Sequence, residues 1–249
     1  MSYQGYKAKD LLTVSGDAKT IKGQTKGYLT GILYGAPAET SGVMNTCTFA
    51  TAGCKASCLF TAGRASFTPS IITGRVNKTK WYHAEPETFI AQLRKNIVSL
   101  VRKAARENMT PCVRLNGTTD IPKLAMQLAK EFPQVQFYDY TKIPRPWQRQ
   151  SPNYSITFSL SENNEADARE ALAHGVNVAV VFKTKKGHAL PSHYMGHEVI
   201  DGDLTDLRFT DGKASDGRAV IVGVRAKGKA KRDVSGFVKI ESLYVGGSR

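Results

Sequence analysis

Apolar residues recur at three- and four-residue spacing through residues 85–107, where Phe89, Leu93, Ile97, Leu100, Val101 and Ala104 share one helical face. Arg94, Lys95, Arg102, Lys103 and Arg106 fill the other positions, and Pro86 suits a first turn. An amphipathic helix is predicted there. Elsewhere the pattern is of short apolar runs: 27–34, 112–116, 135–139, 155–159, 176–182 and 219–224 read as strands, with helices predicted over 121–132 and 162–174. The run at 176–182, VNVAVVF, is too continuously apolar to leave one face in water.

Strands alternating with helices predict an α/β fold with a parallel sheet. Barrel and open doubly wound sheet both fit the spacing. Polar residues end one strand after another (Asn116, Asp139, Ser159, Lys183), which favours a TIM-barrel-like single domain, partial or irregular, over residues 28–249. Residues 1–27 are polar, rich in Gly and Lys and without a clear period, and predict an irregular or partly ordered lead-in.

Into this frame falls one unusual stretch, NTCTFATAGCKASCLFTAGR at 45–64. Cys47, Cys54 and Cys58 stand within a dozen residues, with six residues between the first pair and three between the second. A helical turn would put Cys54 and Cys58 on one face, and a loop can bring Cys47 to them. Three thiolates so placed suit a soft metal centre, either zinc with a fourth ligand or an iron-sulfur cluster. The Cys-x2-Cys knuckle expected of zinc is missing, which favours the cluster, with Cys47, Cys54 and Cys58 as ligands. Cys112 opens its predicted strand, whereas the stretch follows the end of another. Four residues of strand span about 13 Å, so Cys112 is expected in the core and not as fourth ligand.

Asn116 with Asp120, and Asp139 with Lys142, are the polar groups expected to face the cysteines' pocket. Asp203 and Asp206, with Asp201, either hold a hard cation or orient a substrate, or they form an ordinary Asp-Gly-Asp turn. His188, His193 and His197 straddle Pro191 in a predicted loop and need not converge on a metal.

Charge adds a second direction. Lys and Arg number 35 against 21 Asp and Glu, a net +14, which favours a polyanionic partner such as nucleic acid. The basic run at 225–232 could clamp phosphate or be a solvated loop. Residues 1–10 lack the apolar core of a signal peptide, and no run approaches the ~20 apolar residues of a membrane helix. A soluble, cytoplasmic protein with no membrane partner is expected, in a compartment where close cysteines bind metal or do redox chemistry rather than form disulfides.

The segments CTFATAGCKASCLFTAGR, RLNGTTDIP, VIDGDLTDLRF and VGVRAKGKAKRDVSGFV together resemble the bacteriophage protein family known as gene product 88. The resemblance implies a phage origin, with the infected host cell's cytoplasm as location, and brings no activity with it. In layout the chain also resembles radical S-adenosylmethionine enzymes, which place three cysteines after the first strand of a barrel and leave one iron open. Their usual Cys-x3-Cys-x2-Cys spacing is not this one. This second resemblance implies S-adenosylmethionine as a further cofactor. The expectation is a 4Fe-4S protein, a redox or radical-type enzyme with a small-molecule substrate. The alternative is a basic nucleic-acid-binding protein with a structural metal or none.

Overall fold

The computed structural model describes residues 5–16, 18–61 and 68–240. Gly63 and Arg64, at the end of the cysteine stretch, and residues 241–249 of the expected domain lie outside them. The strands are β1 (Leu12–Thr13), β2 (Tyr28–Leu33), β3 (Thr110–Arg114), β4 (Gln136–Thr141), β5 (Tyr154–Ser159), β6 (Val178–Phe182), β7 (His193–Tyr194), β8 (His197–Asp201) and β9 (Ile221–Arg225). The α-helices are α1 (Ala18–Gln24), α2 (Ala52–Ala56), α3 (Pro69–Ala84), α4 (Pro86–Arg106), α5 (Pro122–Glu131) and α6 (Glu165–Ala173).

All nine strands join one sheet in the order β1-β2-β3-β4-β5-β6-β9-β8-β7. From β2 to β8 every neighbouring pair is parallel, Tyr28 opposite Thr110 and Phe182 opposite Arg225, while β1 and β7 cap the two edges antiparallel. The α/β class and the parallel sheet are therefore as expected. Among the described residues no hydrogen-bonded pair joins the two edges, and the sheet is not closed by its strands.

Alternation along the strands sorts the two faces. Leu29, Leu33, Val113, Phe137, Tyr154 and Ile156 pack with Phe89, Leu93, Ile97 and Leu100 of α4 and with Leu124 and Leu128 of α5. Phe158, Val178, Val180 and Phe182 pack with Ala168, Ala171 and Leu172 of α6. Each fully buried Leu, Ile or Phe contributes roughly 1.5–3 kcal/mol, so this helix-covered face is the main core. On the other face Cys112, Tyr138 and Leu207 form a separate buried cluster with Tyr28 and Phe209. The chain after β8, residues 202–211, lies against that face.

The same segment is tied through side chains to β3 and α1. Asp206 receives Arg114 of β3 at 2.8 Å and Lys19 of α1 at 3.4 Å. Gly202 is required at the start of the segment, because a Cβ there would stand 2.6 Å from Val222 Cγ1. Gly23 does the same for α1, where a Cβ would meet Thr30 Oγ1 at 2.7 Å and Leu207 Cδ2 at 3.6 Å.

The structure departs from the sequence pattern at three places. Within residues 1–27 the described residues hold β1 and α1, with Leu11, Leu12 and Thr20 buried, so the lead-in carries more order than its pattern predicts. Two strand residues and seven helical ones are too few to display a period. The loop predicted across the histidines contains the β7–β8 hairpin, in which His193 lies opposite Glu198 and Tyr194 opposite His197. His197 Nδ1 bonds Ala219 O at 2.7 Å, and His193 Nδ1 lies 3.3 Å from Ser192 Oγ. Helix α3 had no counterpart in the hydrophobic pattern, because only Thr79 and Trp81 of its 16 residues are buried.

Candidate functional site

A cavity of about 490 Å³ opens at the C-terminal ends of the parallel strands. Arg114 ends β3, Ser159 ends β5, Arg225 ends β9 and Gly202 follows β8, and all four line it with Tyr140 of β4. Ligand sites of parallel sheets belong at this end.

Cys47, Cys54 and Cys58 all line this cavity. After β2 the chain turns at Ala38, whose φ is +46°. Thr46 then fixes the return, its Oγ1 donating to Ala36 O at 2.6 Å and its N–H to Ala38 O at 3.1 Å. The Asp120 N–H donates to Thr46 O at 2.8 Å, docking the cysteine loop on the turn that follows β3. Thr51 caps α2, accepting from the Cys54 N–H at 3.2 Å. One turn on, the Phe60 N–H points to Cys58 Sγ at 3.5 Å.

A five-residue helix cannot hold itself together. Glu162, on the loop between β5 and α6, holds α2 from outside. Its carboxylate accepts from the Gly53 N–H and from Thr51 Oγ1, each at 2.7 Å. A Cβ at Gly53 would overlap Ser235 Oγ and come within 2.9 Å of both Glu162 oxygens. The sequence reading missed Glu162, Gly53 and Ser235 in these roles, since residues 109 and 182 positions apart carry no local signal of their meeting.

Burial pushes up the thiols of Cys47 and Cys58, and neighbouring cysteines add to it: Cys58 raises Cys47, and Cys54 raises Cys58. Lys142 and Arg75 pull Cys58 the other way. Both sulfurs are thus neutral thiols at neutral pH unless a cationic centre favours the thiolate. Among the described residues no three His, Cys, Asp or Glu side chains stand close enough to share one metal ion. Cys112 does not line the cavity. It is fully buried, 3.1 Å from Thr30 Oγ1, with its thiol pushed up to about 12 by burial, as its core placement predicts.

Of the polar residues expected at the pocket, Asn116, Asp120, Lys142, Asp203 and Asp206 line it and Asp139 does not. Asp139 alternates with Tyr138 and Tyr140 along β4, so it turns toward the helix layer when they turn toward the cavity. There it accepts from Asn116 N–H at 2.8 Å, Asn116 Nδ2 at 2.9 Å and Tyr154 OH at 3.3 Å. Asp120 accepts from Thr141 Oγ1 and the Lys142 N–H, each at 2.8 Å, and burial raises its pKa. Asp203 is held by Lys227 at 2.7 Å and Arg225 at 3.1 Å. Asp206 stays ionised, its pKa about 2: burial opposes the charge, and Lys19, Arg114 and Arg208 outweigh burial. Arg114 lies over Tyr140, 4.6 Å from the ring centroid.

Fold and site define an α/β protein with a mostly parallel sheet and a cysteine-lined cavity at its C-terminal ends. The chain belongs to the gene product 88 family, which it matches over residues 10–239. No curated protein and no solved structure matches it. The resemblance to radical S-adenosylmethionine enzymes finds no support in these comparisons. No helix among the described residues is long and apolar enough to cross a membrane.

Proposed function

We propose that the protein binds a 4Fe-4S cluster through Cys47, Cys54 and Cys58, and that the sheet is a TIM-like barrel left unzipped between β8 and β2. The barrel reading rests on topology. A doubly wound sheet carries helices on both faces, whereas here α3–α6 lie on one face, with β2 to β6 in sequence and the order turning only beyond β6, to β9-β8-β7. Residues 202–211 and α1 bridge the remaining gap.

The observation that carries the cluster is three cysteines on one short segment lining one cavity. A zinc ion bonds each sulfur at about 2.3 Å and so draws its ligands to within about 4 Å of one another, and among the described residues no three candidate ligands are grouped to hold one metal ion. A body of four irons and four sulfides accepts more widely spaced thiolates, and the donor set is soft throughout. When bound, such a cluster supplies one-electron redox chemistry and, with three protein ligands, an iron with a free position. The chain's own part is to orient Cys58 through the Phe60 N–H and to fix α2 through Glu162.

Anaerobic purification followed by iron and sulfide analysis tests this. About four of each per chain is expected, with broad visible absorption lost in a C47A/C54A/C58A variant. Colourless protein with stoichiometric zinc would overturn it.

The net +14, with Lys227, Lys229, Lys231 and Arg232 on the turn beside the cavity, favours a second reading in which the mouth binds nucleic acid. Affinity would then fall steeply with salt as counterions are released. No binding of DNA or RNA near 0.15 M salt, the physiological ionic strength, would remove this reading.

A further inference from the structure

The cavity's cations are not equivalent. Lys55 pairs with Glu39 at 3.1 Å, Arg114 and Lys19 with Asp206, and Arg225 and Lys227 with Asp203. Lys22, exposed, reaches the Asp203 carbonyl. Lys142 differs from all of these. It is half-buried and lines the cavity, and among the described residues no carboxylate lies within ion-pair distance of it. Its Nζ donates to Ser159 Oγ at 2.7 Å and stands 5.4 Å from the centroid of the Phe237 ring. The Asp120 carboxylate, whose field reaches Lys142, has both oxygens bonded to Thr141 and to the Lys142 main chain.

An ammonium held by one hydroxyl has two N–H donors left to aim into the cavity. The wall beside it is apolar: Val181 of β6, Val224 of β9, Ala230 and Phe237 line it together. Volume also constrains the ligand, because about 490 Å³ lies within the range of small-molecule sites.

We infer that the cavity binds a small molecule with an apolar or aromatic body and one anionic group, a carboxylate or a phosphate, and that Lys142 holds the anion while Val181, Val224 and Phe237 take the body. Lys142 also acts on Cys58, so the anion sits beside the cysteine site. The inference goes beyond the cluster reading and does not require it, because every group invoked belongs to the chain.

Titration of the full-length protein with benzoate, phenyl phosphate and neutral benzamide, with and without bound iron, tests it. Binding of at least one anion and not of benzamide is expected, and the tighter of the two tells carboxylate from phosphate. Lys142→Gln should weaken that binding roughly tenfold or more, the loss of a hydrogen bond between charged groups, and Lys142→Arg should retain most of it. Should the variants not fold, protection of Lys142 from reductive methylation by the bound anion, read by peptide mass in the unaltered protein, decides. Failure of both anions to bind, equal binding of benzamide, an unaffected Lys142→Gln variant or an unprotected Lys142 would each overturn the inference. Anion binding by iron-free protein would support it even if iron analysis ruled out the cluster.

Discussion

Gly53 is tightly enclosed in the cysteine site, by Ser235 Oγ and the Glu162 carboxylate. Gly53→Ala should cost about 1–3 kcal/mol by overpacking, measured as a lower denaturant midpoint. An unchanged midpoint would mean that α2 is not held against Glu162 and Ser235. The four thiols should separate chemically. Cys112, buried and pushed up to about 12, should resist iodoacetamide at pH 8 in the native state, while the three half-buried cysteines of the cavity react when metal-free. Asp139 supplies a pH signature. Burial raises it to about 7, against the Arg114 charge and the Asn116 hydrogen bonds, from an unfolded value of about 3.9. The folded chain therefore holds this proton more tightly between about pH 4 and 7, and the group's contribution to stability falls as pH rises through that window and levels above it. Urea midpoints at several pH values should show that slope flattened in Asp139→Asn; an identical slope would show that Asp139 does not titrate there.

At the scale of elements, α2 depends on a carboxylate from another part of the chain. Glu162→Ala removes two hydrogen bonds to that charge and should cost about 2–3 kcal/mol, with faster alkylation of Cys54 and Cys58 as the local readout. The contrast with α4 shows what was legible in the sequence. The apolar repeat of α4 is written along 21 residues, and its predicted bounds of 85–107 differ from Pro86–Arg106 by one residue at each end. The strands β3 to β6 were legible for the same reason, as short apolar runs between turns. Helix α3 was not, because its stabilising contacts come through Trp81 and Thr79 rather than through a repeated face. At the site, Lys142 and Asn116 were legible as polar residues at strand ends. Asp139 was misplaced because strand parity was not applied to it: two positions from Phe137, it has to share that residue's helix-facing side.

For the whole molecule, the Arg114–Asp206 pair joins the middle of the sheet to the segment that follows β8, with both side chains nearly out of solvent. Asp206→Ala should destabilise by about 3–5 kcal/mol, because it leaves the buried guanidinium without its partner charge. A double change that removes Arg114 as well should recover part of the loss, whereas additive losses would show the pair to be uncoupled. The cysteines come early, yet Ser235, packed against Gly53, and Phe237, on the cavity wall, are among the last residues described. A ribosome must therefore have passed residue 237 before the pocket has all its walls. Whatever the pocket holds is fully enclosed only after that point, and a nascent chain stalled before residue 235 would present the three cysteines without the wall that Ser235 and Phe237 complete.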